Sequence, residues 1–428
     1  MTGNNESSPD VAIIGGGVIG VMTALGLLHR SIKVVIYERA SSWHEIGAGF
    51  AFTGVARECM QQLDPAILEV LNRISEKTAS KASTSYWDAY HPRTRQDAED
   101  ESKSLLFQMP GNKLAFWGCV RSQFLLGMAS LLPDGVVKFG KQLVSYDDDN
   151  KEEKVRLHFD DGTTAEAHAV LGCDGIHSTT RRILLGVDHP AARTSYTHTV
   201  AYRTMVPIDA GITALGKAKA TSACMHCGPN ANMMSYPVMN GTLLNVAIFV
   251  HESPEFPDPE TMTAPATRGE LELALNDWGP HVVEITKLFP EKLVKWGIFD
   301  MDRDPAPTYA HGRVCIVGDA AHASSPFQGV GACVGVEDAL ALCEALGAVQ
   351  NQGTEAISRA LQAYSQSRIE RGQWVVRSSR EMGQMYQWRY GPTGRDAERC
   401  KLKLERASQK VWDYDVSAMV ARVKAAAA

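Results

Sequence analysis

After a mostly polar start, the first apolar run is Val-Ala-Ile-Ile at 11–14. Glycines follow, then a longer apolar stretch reaching about Arg30, then a second short run at 33–37. Short run, tight turn, long run, short run predicts a strand, a helix and a second, parallel strand. Residues 11–28 carry no charge over 18 positions, the length of a membrane span. Five glycines inside that stretch and its β-like opening assign it to a buried strand, turn and helix instead, so no membrane span is expected.

Farther along, the polar run 96–103 reads as an exposed loop, and Val155–Phe159, Asp160-Asp161-Gly162 and 165–171 read as a hairpin. Segments 198–207, 231–238 and 242–250 alternate and are rich in Val, Tyr, Met and Thr, which predicts strands. Asn240-Gly241 between the last two is a two-residue hairpin signal. Residues 254–266 read as a proline-rich connection, 314–317 as a short buried strand, and 334–350 and 357–388 as helices.

Composition narrows the class. The net charge of -6 leaves no basic surplus to neutralise phosphates, which argues against nucleic acid as a partner. Nine scattered cysteines, an odd and unclustered set, fit reduced thiols and a cytoplasmic location better than a disulfide framework. Cys224-Met225-His226-Cys227 has zinc-like spacing but no second ligand pair, so no metal is expected and the stretch reads as strand or loop. Oligomeric state is not legible.

Three motifs carry the chemistry. Gly15, Gly17 and Gly20 fit GxGxxG between the first strand and its helix. Glycines there allow close approach of backbone to a pyrophosphate, and the helix N-terminus supplies N–H groups. Glu38, followed by Arg39, ends the second strand, where an acid binds ribose hydroxyls. The second motif, Cys173-Asp174-Gly175 running on to Arg181, follows an apolar strand. The third, Gly318-Asp319-Ala320-Ala321-His322, follows the strand at 314–317. It continues through Pro326, Gly329, Val330, Gly331 and Ala332 into a helix carrying Glu337 and Asp338.

This ordered triplet resembles the group A flavoprotein monooxygenases, the para-hydroxybenzoate and salicylate hydroxylase type. The resemblance spans most of the chain. It implies a mixed α/β fold: a Rossmann-like FAD-binding domain, an inserted β-sheet substrate domain and a C-terminal helical segment. The divisions are 1–185 and 301–355 for FAD, 186–300 for substrate and 356–428 for the tail. It implies non-covalent FAD contacted by Asp174, by Gly318 and Asp319, and by the loop Pro326 to Gly331 beside the flavin ring. Arg121 resembles the family arginine that meets FAD phosphate, although Gln123 stands where the family has an acid. His322 reads as structural rather than as a base, and Trp117, His226 and Phe327 as possible lining.

The implied chemistry uses NADPH or NADH and O2, with a flavin C4a-hydroperoxide as the electrophile. Such a species attacks a phenolate carbon far better than a neutral phenol, whose pKa is about 10. Arg203 stands inside the apolar strand Val200-Ala201-Tyr202-Arg203-Thr204-Met205-Val206, costly unless it has a partner. Tyr236 stands in the first strand of the hairpin. A fixed cationic fork and a hydroxyl on one sheet face make an anion cradle, and Tyr202 should point to the other face. The pair is similar to that of fungal polyketide monooxygenases that dearomatise phenols to quinols. The resemblance therefore implies Arg203 and Tyr236 as catalytic residues and a phenolic polyketide as substrate. Alternatives are a salicylate-type hydroxylase that keeps aromaticity, an epoxidase with no need of the cradle, and a flavin-binding redox module without turnover. A plain dehydrogenase is opposed by the third motif.

Overall fold

The computed structural model describes residues 10–43, 49–75, 84–90, 104–110, 116–149, 153–350 and 352–428. The loop expected at 96–103 lies outside them.

Val11–Ile14 forms a strand, Gly17 N-caps the helix Val18–His29, and Val34–Glu38 returns parallel to the first strand. Val11–Ile14 sits near the centre of a six-stranded sheet, between Val34–Glu38 and Ala169–Gly172. Val314–Ile316 extends the sheet beyond Ala169–Gly172 in the same parallel sense. Ala169–Gly172 corrects the expected hairpin. Val155–Phe159 pairs antiparallel with Thr164–Ala167 as expected, but the chain leaves that ribbon at His168. Residues 169–172 are buried throughout, and a fully buried run belongs inside a covered parallel sheet.

The second layer is an eight-stranded mixed sheet. Ser195–Pro207, Leu243–His251 and Ala231–Val238 lie side by side within it. The hairpin forms, but Val238 pairs Leu243, so its loop is the four residues 239–242, with positive φ at Met239, Asn240 and Gly241. The proline-rich connection is a strand in part: Thr263–Thr267 forms the sheet edge, where Pro265 lacks only a hydrogen bond the edge does not need. Ala223–Gly228 holds Cys224 and Cys227 three apart on a strand, so they point to opposite faces and cannot grip one ion. Two strands of this sheet, Thr84–Asp88 and Leu105–Met109, come from ahead of position 185.

Helix Gly331–Ala348 is buried almost all round, against Val18–His29, Gly54–Leu63 and the 33-residue helix Thr354–Tyr386. At 1.5 Å per residue the latter runs about 50 Å, enough to tie both sheets together. Its Tyr364 donates to Ile316 in the first sheet. Its Arg380 binds Asp300 at the end of Lys292–Asp300 in the second. Among the described residues no helix is long and apolar enough to cross a membrane.

Candidate functional site: a dinucleotide groove facing a sheet

Glu38 shapes the glycine turn. Its Oε2 accepts from the Gly16 N–H at 2.6 Å and its Oε1 from the Ala40 N–H at 2.8 Å. A Cβ on Gly20 would stand 2.0 Å from the Gly15 carbonyl oxygen, so only glycine lets this helix pack on its strand. Beside Gly17 a Cβ would meet nothing within 4 Å, and no side chain caps this helix. Open space over uncapped N–H groups is what a pyrophosphate requires. Arg39 is exposed just beyond, close enough to His177 to help lower its pKa, although burial is the larger cause.

Asp174 fixes its own turn. Its Oδ1 accepts from Ser178 Oγ at 2.5 Å, and its Oδ2 from the N–H and Oγ1 of Thr180 at 2.9 and 3.0 Å. It therefore satisfies the Thr180 N–H in the first turn of the helix Thr179–Leu185, which Ser178 N-caps, and sets the turn at Gly175. Asp319 is accessible although protein surrounds it on most sides, as in the wall of a crevice. Burial raises its pKa, opposed by the nearby His322, Arg121 and Arg181. Arg121, the first residue of Arg121–Ala129, thus stands within electrostatic reach of Asp319, as a shared cofactor groove needs. Pro326 opens a short 3-10 turn and Gly329 is left-handed at φ 68°. That conformation lets Val330 cap the helix beginning at Gly331 and Ala332, leaving its first N–H groups toward the groove. An acid bracing the glycine turn, an open helix N-terminus, a strand-end carboxylate and a second helix N-terminus together fit a flavin dinucleotide.

Across from this loop lies one face of the eight-stranded sheet. Arg203 pairs with Ala247 and Ala247 with Met234; one row on, Met205 pairs with Asn245 and Asn245 with Tyr236. Cross-strand partners share a face, so Arg203 and Tyr236 project from the same side. Tyr202 is buried on the opposite side. Arg203 and Tyr236 are both exposed, and each perturbs the other. Protein crowded around their accessible ends partly desolvates them, which lowers the pKa of Arg203 and raises that of Tyr236, and their proximity opposes both shifts. No carboxylate of the described residues pairs with Arg203.

Phe327 divides this face. It packs on Ala201, Ala247, Phe249 and Ile298, its ring 4.9 Å from that of Phe249. On its far side is a polar pocket lined by Thr197, Thr199, Ser325, Arg380, Gln384 and Arg389. Trp117 lies on the short ribbon with Phe50–Phe52, under the Arg57 guanidinium at 4.1 Å. His226 is on the other face of the sheet, fully buried, its ring 5.5 Å from His281, and does not line the cradle.

A family model described as FAD binding domain matches residues 8–379. An FAD-dependent monooxygenase of Aspergillus terreus is 54% identical over 428 residues, covering 99% of this chain and 98% of that protein. The chain belongs to the FAD-dependent monooxygenase family. The monooxygenase pigN of Monascus ruber is 42% identical, covering 99% of this chain and 98% of its own. Salicylate hydroxylase asL1 of Sarocladium schorii is 39% identical, covering 98% and 91%. A solved salicylate hydroxylase substrate complex matches with TM-score 0.84 at 30% identity, covering 98% of each chain.

In this flavoprotein monooxygenase several arginines to which the motifs gave no role hold the motifs together. Arg181 is buried and donates to the carbonyls of Ile176, Ala192, Asp319 and Ala320, tying the second motif to the third. Its burial lowers its pKa to about 10. Arg368 binds Asp338 at 2.8 Å and Glu337 at 2.7 Å, while Arg371 binds Glu337 at 2.8 Å. His322 is held by Asp338 and is buried. Burial pulls its pKa down, but Asp338 outweighs this and the net shift is upward. Buried against Asp338, the imidazole braces the third motif on the helix Gly331–Ala348. Arg181 was legible as the last residue of the second motif but without a role, because carbonyl partners leave no sequence signal.

Proposed function

We propose that this monooxygenase uses NADPH or NADH and O2 to hydroxylate a phenolic polyketide, with oxidative dearomatisation to a quinol. The observation that carries the reading is the carboxylate-free Arg203 projecting beside Tyr236 from the sheet face opposite the Pro326 to Ala332 loop. Bound FAD supplies the activation of O2. Gly15, Gly17, Gly20, Glu38, Arg39 and Arg121 would hold its dinucleotide part. Gly318, Asp319 and the segment Pro326, Gly329, Val330, Gly331 and Ala332 would hold its ribityl and ring. Asp174 would act by fixing the turn at Gly175 rather than by direct contact.

The guanidinium stabilises a phenolate, and an adjacent cation lowers the substrate's pKa. The Tyr236 phenol, shifted upward from its ordinary value of about 10, is protonated at neutral pH, so its O–H donates to the phenolate oxygen. Charge placed there raises electron density at the ortho and para ring carbons. Oxygen added at a substituted carbon leaves no hydrogen to lose, which yields a quinol. Addition at an unsubstituted carbon restores the ring. The likeness to salicylate hydroxylases favours that second outcome as an alternative, and the same cradle serves both.

Tyr236→Phe tests the cradle. A lost hydrogen bond to a charged group costs about 1.5–3 kcal/mol, roughly one to two orders of magnitude in kcat/KM. Raising the pH, or using a phenol of lower pKa, should recover part of the loss by supplying phenolate from solution. A loss independent of both would make Tyr236 a shape residue only.

Asp319→Ala should weaken FAD retention by about 1.5–3 kcal/mol if its carboxylate accepts cofactor hydroxyls. Equilibrium dialysis of FAD checks this; undiminished affinity would remove Asp319 from the groove.

A further inference from the structure

Asn245 stands where the sheet brings Arg203 and Tyr236 together. It pairs directly with Tyr236 on one side and Met205 on the other, while Arg203 faces Ala247, two residues along Asn245's own strand. Directly opposed side chains have Cβ atoms about 4.5–5.5 Å apart and diagonal ones about 7–8 Å apart. The amide is therefore flanked by both members of the cradle. Its chain neighbours Leu244 and Val246 are fully buried on the opposite face, which turns Asn245 toward the cradle. It is half-buried, and its amide makes no hydrogen bond to the described residues.

Ala247 lies between Arg203 and Met234, and Phe327 and Phe249 close that end of the face. A ring held over Arg203 and Tyr236 by one oxygen turns its adjoining position to Asn245. Resting on the phenolate reading above, we propose that Asn245 is a specificity residue whose amide binds a second oxygen, carbonyl or hydroxyl, next to the phenolate. It thereby fixes the ring's rotation in its own plane and the carbon turned toward the flavin loop. An amide suits either group because its NH2 donates to a carbonyl and its C=O accepts from a hydroxyl. A phenol without that oxygen leaves the amide unpaired when the site closes over it.

The test compares the FAD-loaded parent with Asn245→Ala and Asn245→Leu, the second keeping volume while removing both polar atoms. The probes are a methylated phenol and its ortho-formyl counterpart. Readouts are kcat/KM, equilibrium Kd from the flavin absorbance change on titration, and FAD content. Both variants should lose about 10–100-fold in kcat/KM and in affinity for the formyl phenol. Both should stay within about threefold of the parent for the plain phenol, with FAD content unchanged. Equal losses on both phenols, no loss, or loss in the alanine variant alone overturns the role of Asn245 while leaving the cradle standing. A parent that oxidises neither phenol overturns the phenolate reading, and the role of Asn245 with it.

Discussion

Arg203→Ala should lose nearly all product formation while FAD stays bound. Arg203 projects from the substrate face of the sheet and touches none of the glycine turns, so the cofactor groove is left intact. Truncating one partner of a desolvated charge pair costs about 2–5 kcal/mol, roughly thirtyfold to several thousandfold in kcat/KM. Arg203→Lys should recover little, because an ammonium point charge does not reproduce a planar fork and sits on a more mobile stem. The measurement is kcat/KM for a phenol in FAD-replete protein. A lysine variant equal to the parent would show that a generic positive field suffices. An alanine variant with normal turnover would remove Arg203 from the chemistry.

Arg368→Met should cost about 3–5 kcal/mol of folding stability, because it leaves carboxylates buried without their main counter-charge. The guanidinium is fully buried and serves Asp338, Glu337 and the Tyr414 hydroxyl, the last at 2.9 Å. Asp338 in turn accepts from the Gly318 N–H at 3.1 Å and holds His322. Loosening it therefore reaches the third motif, and FAD should be released at lower denaturant than in the parent. Urea unfolding at fixed FAD concentration measures both effects. An unchanged midpoint would mean that Arg371 alone neutralises the pair.

What was legible in the sequence was local. The first strand, turn, helix and strand follow from one glycine cluster and two apolar runs. Arg203 stood out because a charge interrupted an apolar strand, and Tyr236 through the family resemblance; their register comes from Leu243–His251, which lies between their two strands. What was not legible depended on distant partners. Ala169–Gly172 looks like the second arm of a hairpin until two strands from elsewhere in the chain flank it. Thr84–Asp88 joins the larger sheet by pairing parallel with Ala223–Gly228, more than a hundred positions away, and no local pattern encodes that contact. Arg368 reads as an ordinary basic position on a long helix, because its carboxylates lie about 30 residues earlier. Asn245 is invisible for the same reason: an asparagine in a strand means little until register sets it beside a cradle.

The most direct test of the central claim is turnover under 18O2, with a small panel of methylated dihydroxybenzaldehydes and either NADPH or NADH. The phenolate account predicts one labelled oxygen per product, on a ring carbon ortho or para to the phenolic oxygen. It also predicts that bound FAD is bleached by the nicotinamide faster when the phenol is present. Oxygen derived from water, or nicotinamide oxidation that ignores the phenol and leaves it unchanged, would contradict it.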